Sequence, residues 1–291
     1  MARQVKTTRR QSEKKLTRII ILASYSRSLR NFRGALIKAL VDRGLDVHVA
    51  APLLSDDIAT GEWLDRLGVV GHDIKLSRAG LNPVSDLSTL WQLTRLMRDI
   101  RPDVFLGYTV KPVVWGLLAA HFARVPKRVA LITGLGYAFT GAAIGIRGVV
   151  RLFVLKLYRA SLKRASLVFF QNPDDQEEFR QLGLLPEQTP TRVVAGSGVD
   201  IIHFAPVPFP DTQIQFLLSA RVLGDKGIRE YAAAAHQLKH EGCAADFHLV
   251  GPLDSNPDGI SEQTIKGWCD AGILHWVGGL SDVRPAISDA H

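Results

Sequence analysis

Arg221 and Lys226 follow an apolar run, Ile214-Gln215-Phe216-Leu217-Leu218-Ser219-Ala220, and are separated by Val222-Leu223-Gly224-Asp225. Gly227 comes next, and the alanine-rich stretch 230–238 has a helical composition. Two fixed cations at the carboxyl end of a buried strand, just ahead of a helix amino-terminus, suit a diphosphate. Open α/β sheets hold ligands at that end, and the helix adds a partial positive charge. The same pair also fits an ordinary βα turn with two solvated cations, so the rest of the chain has to decide.

Other loops share this polar and cationic character. Ser24 to Gly34 follows an apolar strand and carries Arg33; Tyr108-Thr109-Val110-Lys111-Pro112 and Thr133-Gly134-Leu135-Gly136-Tyr137 follow two more. Ser197-Gly198-Val199-Asp200 precedes a proline-rich stretch, and Gly251 ends a later strand. Arg33, Gly34, Thr109, Lys111, Gly134, Gly136 and Tyr137 are the candidates on one rim, and Arg221, Lys226, Gly227 and Gly251 those on another. Together they describe a cleft for an anionic, hydroxyl-rich ligand. Several familiar sites are missing from the sequence. No Gly-Lys-Ser/Thr follows a glycine-rich turn, and Phe139 replaces the third glycine of a dinucleotide fingerprint. The adjacent pairs Asp56-Asp57 and Asp174-Asp175 are not spaced to share a metal; the second suits a helix amino-terminus.

These loops need a scaffold, and the sequence alternates strands with helices to build one. Apolar runs at 16–23, 46–51, 104–108, 129–133, 167–171 and 192–195 predict strands. Helical patterns cover 32–43, 62–67, 86–100, 113–123, 148–164 and 174–182. Near-continuous apolar strands between helices indicate a parallel sheet covered on both faces. Ala205-Pro206-Val207-Pro208-Phe209-Pro210 has the composition of a semi-rigid linker. Beyond it the rhythm restarts, with strands at 214–220, 246–250 and 275–277 and helices near 228–240 and 260–271. The expectation is an α/β chain of two doubly wound, Rossmann-like domains. A basic tail spans 1–18, the first domain 19–204, the linker 205–212 and a second domain of about three strands 213–291.

Composition narrows the class. At 291 residues, 46% hydrophobic and 22% charged, the chain is long enough for two packed domains and is not wholesale disordered. Cys243 and Cys269 form no disulfide framework or metal knuckle, which makes a reducing cytoplasm the default. The formal charge of +8 is concentrated in residues 1–18, a solvated tail in composition with no secretory h-region. The uncharged stretch 129–146 contains four glycines and begins as a strand, so it is no spanning helix. The segment 147–164 is basic and apolar, with Arg147, Arg151, Arg159 and Lys163 near helical spacing opposite Phe153 and Leu157. It fits a sheet-covering helix with a solvated basic face, and also a helix lying on an anionic membrane.

Phe32-Arg33-Gly34-Ala35-Leu36-Ile37, Tyr108 to Pro112, Leu131 to Phe139, Phe169 to Asp175, Ser197 to Asp200 and Ala220 to Gly227 together resemble the retaining glycosyltransferases of family 4, with the GT-B fold. The nearest branch builds bacterial capsule, lipopolysaccharide and undecaprenyl-linked glycans, and the resemblance runs from about Leu16 to the end. It implies sugar transfer from a nucleotide donor, a UDP-sugar by expectation, to an undecaprenyl-linked or glycan acceptor. No cofactor or catalytic metal is implied. Arg221 and Lys226 match the residues that hold the donor diphosphate and stabilise it as it leaves. Relatives that carry a histidine after the strand ending here at Tyr108 find no counterpart, since Thr109 and Lys111 stand in its place. After Asp282-Val283-Arg284-Pro285 the family continues into a strand and a glutamate-bearing helix that bind donor, and these do not precede His291. A fragment or truncated chain that binds donor poorly and has little or no activity by itself is therefore expected. The implied location is the cytoplasm, with peripheral attachment to an anionic membrane surface. Rival readings are a UDP-sugar epimerase of the same fold and a basic nucleic-acid binder. The latter lacks interleaved aromatics and any reader motif, so no nucleic acid is expected.

Overall fold

Successive side chains of a strand point to opposite faces, so a strand covered on both sides must be apolar throughout. The computed structural model describes residues 16–77, 83–134, 146–254 and 258–291. Arg18–Leu22 (β1) illustrates the rule: Ile20 and Leu22 enter one core, Ile19 and Ile21 the other. β1 is followed by Ser26–Asp42 (α1), Asp46–Ala51 (β2), Ile58–Arg66 (α2) and Val70–Asp73 (β3). Pro83–Ile100 (α3), Val104–Tyr108 (β4), Val110–Phe122 (α4) and Lys127–Ile132 (β5) come next. Ile146–Leu162 (α5), Leu167–Phe170 (β6), Pro173–Gln181 (α6) and Thr191–Val193 (β7) complete the first unit, and the chain divides after Gly198.

The seven strands pair in parallel in the order β3-β2-β1-β4-β5-β6-β7. The order reverses between β1 and β4. That reversal opens a crevice at their carboxyl ends, where doubly wound sheets hold ligands. Leu29 and Ile37 of α1 and Leu64 of α2 fill the core on one face. Leu93 of α3, Leu117 of α4, Tyr158 of α5 and Phe179 of α6 fill the other. Gly116 lets α4 lie close on β4, since a Cβ there would sit 2.3 Å from the Phe105 ring.

Two expected loops prove to be largely helix. α1 begins at Ser26, so most of 24–34 is helical. Ser26 Oγ donates to Asp57 at 2.8 Å and Ser28 Oγ to the Tyr25 carbonyl at 2.6 Å, while Leu29 turns into the core. α4 begins at Val110, so Lys111 and Pro112 belong to its first turn. β3 has no counterpart among the apolar runs, because Val-Gly-His-Asp at the sheet edge is mostly exposed. The acidic pair Asp174-Asp175 does stand in the first turn of α6, capped by Asn172, whose Oδ1 accepts from the Asp175 N–H at 2.6 Å. On α5, Val154, Tyr158 and Leu162 are buried, whereas Leu152, Phe153, Lys156 and Arg159, and Lys163 just beyond the helix, are exposed. Phe153 thus shares the solvent side with the basic residues instead of opposing them, because the sheet takes the Val154–Tyr158–Leu162 stripe.

The second unit holds Ile214–Ser219 (β8), a 3-10 turn at Gly224–Lys226, Ile228–His240 (α7) and Ala245–Val250 (β9). Glu262–Asp270 (α8), His275–Gly278 (β10) and Arg284–Ser288 (α9) follow. Its three parallel strands lie in the order β10-β9-β8 over a core that includes Val222, Ile228, Phe247, Leu249, Ile265 and Leu274. The residues between 205 and 212 form neither helix nor strand. Cys243 and Cys269 are both free thiols. Among the described residues, no helix is long and apolar enough to cross a membrane.

Candidate functional site

The crevice between β1 and β4 is bridged by two side-chain hydrogen bonds. Thr109 Oγ1 donates to Ser24 Oγ at 3.0 Å, and the Ser28 and Tyr108 hydroxyls share a bond of 2.7 Å. Arg33 lies over the Tyr108 ring, with its guanidinium carbon 4.7 Å from the centroid. Its Nη1 donates to Ser197 Oγ at 2.7 Å and to the Phe32 carbonyl at 2.8 Å. Gln171 donates to the same Ser197 hydroxyl at 3.0 Å, which ties the carboxyl end of β6 into the network. Arg33 is only 5% exposed, and its Nε has no hydrogen-bond partner among the described residues. A buried donor without an acceptor is costly, and its location makes it a candidate contact for a bound polar group.

Burial sets the electrostatics here. Desolvation pulls the Arg33 guanidinium below its usual pKa, partly offset by its attraction to Tyr108. Burial pushes the Tyr108 phenol up to about 12, against the Ser28 hydrogen bond and the Arg33 charge. Tyr108 is therefore a neutral donor or acceptor at any physiological pH, not a base. Thr109 has φ 66°, a region a β-branched residue rarely occupies. Such backbone strain costs on the order of 1–3 kcal/mol and collects at functional sites.

The other candidates of this unit divide. Lys111 is not a free cation, because its Nζ pairs with Asp86 at 3.0 Å and both side chains are nearly buried. Gly34 lies inside α1, where a side chain would contact Trp63 at 3.5 Å, so it serves helix packing and not the crevice. Gly134 ends the described part of its loop with φ 130°, and Gly136 and Tyr137 lie outside the described residues. Ser24, Ser28, Tyr108 and Ser197 all stand in segments whose sequence draws attention. Their roles depend on hydrogen-bond partners up to 164 positions away, which no local pattern reveals.

In the second unit, Arg221 follows β8 and Lys226 closes the 3-10 turn that leads into α7. Arg221 Nη1 donates to Asp254 at 2.6 Å while the side chain stays half-exposed. Lys226 is open to solvent, with Asp225 no nearer than 3.9 Å. Gly227, at φ 72°, forms the amino-terminal boundary of α7, and no side chain caps that helix. Gly251 ends β9, where a Cβ would lie 1.6 Å from the Ala220 carbonyl oxygen, so only glycine lets the two chain segments pass. Asp258 braces the turn by accepting from the Asp225 N–H at 2.7 Å, while its own carbonyl accepts from the Gly224 N–H at 2.9 Å. Asp254 and Asp258 were not evident as partners from sequence alone. The result is a rigid turn that presents two cations beside an uncapped helix amino-terminus, a geometry suited to phosphate.

Comparison with known proteins gives this arrangement a family. The model of the glycosyl transferase 4-like domain matches residues 30–197. The N,N'-diacetylbacillosaminyl-diphospho-undecaprenol alpha-1,3-N-acetylgalactosaminyltransferase of Campylobacter jejuni is 30% identical over 279 residues, covering 91% of this chain and 70% of that protein. Among solved structures, sucrose-phosphate synthase from Thermosynechococcus elongatus superposes with a TM-score of 0.69 at 15% identity, over 94% of this chain and 74% of that one. Anabaena HepE, in complex with UDP and glucose, gives 0.64 at 16% identity over 94% and 72%. At such identities the structural likeness establishes the fold alone, which is that of GT-B glycosyltransferases. With the domain match over more than half of its length, the chain belongs to the glycosyl transferase 4-like family.

Proposed function

We propose that this chain moves a sugar from a nucleoside diphosphate donor, with uridine the expected base, to a hydroxyl of an undecaprenyl-linked or glycan acceptor. The observation that carries the reading is the turn after β8, where Arg221 and Lys226 stand ahead of the amino-terminus of α7, which no side chain caps. In this reading the bond between the anomeric carbon and the β-phosphate oxygen breaks. The nucleoside diphosphate leaves with the bonding pair, and the acceptor oxygen takes the anomeric carbon and gives up its proton to the departing diphosphate. Charge grows on the leaving phosphate, so fixed cations stabilise the transition state more than the ground state. Asp254 holds the Arg221 fork in place until the diphosphate arrives. The two cations supply the charge neutralisation, and the reading calls for no metal ion.

In the first unit, Arg33, Thr109 and the Ser24 and Ser28 hydroxyls are the groups proposed to orient the acceptor or the transferred sugar. The diphospho-undecaprenol acceptor named for the Campylobacter relative supports a lipid-linked substrate class. Such an acceptor favours peripheral attachment to the cytoplasmic membrane face. The exposed Leu152, Phe153, Lys156 and Arg159 of α5, with Lys163 just after it, combine the apolar and basic character that an anionic surface attracts. Co-sedimentation with vesicles should rise with anionic lipid content and fall for Phe153→Ser. Indifference to both changes removes the membrane from the reading.

The catalytic reading is tested by incubating the chain with a UDP-sugar, with and without a polyprenyl-diphosphate saccharide. Release of UDP matched by acceptor consumption supports it. Interconversion of two UDP-sugars without acceptor replaces it with epimerisation.

A further inference from the structure

The amino-terminal end of the large sheet carries a second basic feature, remote from the crevice at the carboxyl ends. A cavity of about 630 Å³ lies where α3 and α4 run into β4 and β5, and its lining includes Arg98, Arg101, Arg124, Asp103 and Phe122. Its size falls in the range of small-molecule sites. A strand of five or six residues, about 16 Å or more, separates it from the crevice.

The way these two helices end is what distinguishes the cavity. Five other helices stop in one pattern. A glycine at positive φ follows α1, α2, α6, α7 and α8, at Gly44, Gly68, Gly183, Gly242 and Gly272. Each donates its N–H to a carbonyl three residues back, and the next residue donates to one five back. This is the common glycine-terminated helix end, in which glycine avoids the Cβ clash. α4 ends with the same two bonds, Arg124 N–H to His121 and Val125 N–H to Ala120, yet the residue at φ 59° is an arginine. α3 ends with the Arg101 N–H bonded to Met97, and Pro102 leaves no donor for the second bond; Arg101 has φ 52°.

Both arginines line the one cavity, and Arg98 from the last turn of α3 joins them, with Nη2 3.4 Å from the Phe122 carbonyl. None of the three forms an ion pair among the described residues, and all three are exposed. The acid in the lining, Asp103, already accepts the Arg18 backbone N–H at 2.9 Å. Arginine where glycine is the conformationally easier choice costs stability. Twice, at one cavity, that cost coincides with an unneutralised guanidinium. Helix-dipole compensation alone does not explain the choice, since a charge one turn earlier serves the dipole without a left-handed backbone.

We infer that the Arg98–Arg101–Arg124 cavity is a binding site for a phosphate-bearing anion, separate from the donor site of the second unit. Guanidinium forks pair with phosphate oxygens two at a time, and Phe122 supplies an apolar wall for the remainder of a larger ligand. The phosphate belongs either to a free small molecule or to a lipid headgroup.

The test uses the whole chain with the donor cations removed, as Arg221→Ala/Lys226→Ala, and inorganic pyrophosphate as probe in a calorimetric titration. Pyrophosphate should still bind, and adding Arg101→Gly/Arg124→Gly should weaken it at least about tenfold. Those glycines relieve the positive φ, so the melting midpoint should hold or rise while binding falls, a combination that purely structural arginines do not give. Arg98→Gln, on an exposed helical face, should weaken binding without touching either helix end. Flotation with phosphatidylglycerol vesicles separates the two sources. Vesicle binding that needs Arg101 and Arg124 and is competed by pyrophosphate assigns the headgroup; pyrophosphate binding with vesicles indifferent to those arginines assigns the free anion. Absence of pyrophosphate binding in the donor-site variant, together with arginine-independent vesicle behaviour, overturns the inference. So does binding that survives all three arginine substitutions.

Discussion

Two arginines stand at the carboxyl ends of strands in the two units, and they are held in opposite ways. Arg33 is buried against Tyr108 and fixed by Ser197, and its buried Nε has no hydrogen-bond partner among the described residues. Arg221 is half-exposed and held by the Asp254 carboxylate. The first is ordered by the fold before any ligand arrives, and desolvation makes each of its hydrogen bonds matter more. The second stays open to solvent on one side, which suits a group that must grip a diphosphate and release it. The contrast separates positioning from charge neutralisation.

The sharpest way to probe the difference is through one glycine in each unit. Gly251→Ala forces a Cβ into the Ala220 carbonyl, and overpacking of this kind should destabilise the second unit by about 3 kcal/mol. Gly34→Ala meets Trp63 at ordinary contact distance within a helix and should stabilise the first unit by about 0.5–1 kcal/mol. Denaturant melts of the two variants check both signs. Next in size, Arg33→Met should lower stability by about 1–2 kcal/mol through the lost hydrogen bonds to Ser197 and Phe32. It should also cut acceptor-dependent turnover by about a hundredfold. Full turnover in this variant breaks the comparison.

Much of the scaffold was legible because burial on both faces forces apolar strands; β4 falls at 104–108 as expected. What escaped was set by tertiary contacts. The first turns of α1 look like a polar loop because Ser26, Ser28 and Arg33 face the crevice, and only Asp57, Tyr108 and Ser197 make that polarity tolerable. β3 is an exposed edge strand with no apolar run to betray it. Lys111 resembles a free rim cation until α3 brings Asp86 beside it. The strand, turn and helix that carry Arg221 and Lys226 were legible because β8, a glycine turn and α7 follow one another without interruption.

Two smaller effects sharpen the account of the first unit. Asp57 caps α2 through the Thr60 N–H and also holds Ser26. Partial burial alone would raise its pKa, but the hydrogen bonds from Thr60 and Ser26 outweigh it and hold the carboxyl below the usual value. A depressed carboxylate stabilises the fold above the unfolded value near 4, and that contribution disappears as pH falls through the folded one. Asp57→Ala should cost about 1 kcal/mol at neutral pH and less in acid, as pH-dependent melts would show. His48 and His72 stack across β2 and β3, with Nδ1 and Nε2 2.9 Å apart. Desolvation lowers both pKa values; Arg18 adds to the shift at His48 while Asp46 opposes it, and His48 adds to it at His72. The folded state then binds fewer protons than the unfolded chain, so stability should decline as pH drops below about 6.5. His72→Gln should flatten that decline by a few tenths of a kcal/mol, the smallest effect foreseen.

The central claim is that Arg221 and Lys226 hold the diphosphate of the donor, and calorimetric titration of UDP into the chain and its variants tests it directly. Arg221→Ala and Lys226→Ala should each weaken UDP binding by about tenfold or more while leaving the melting midpoint almost unchanged. Arg33→Met should leave UDP affinity intact. UDP affinity that survives loss of both second-unit cations, or that depends on Arg33 instead, contradicts the account.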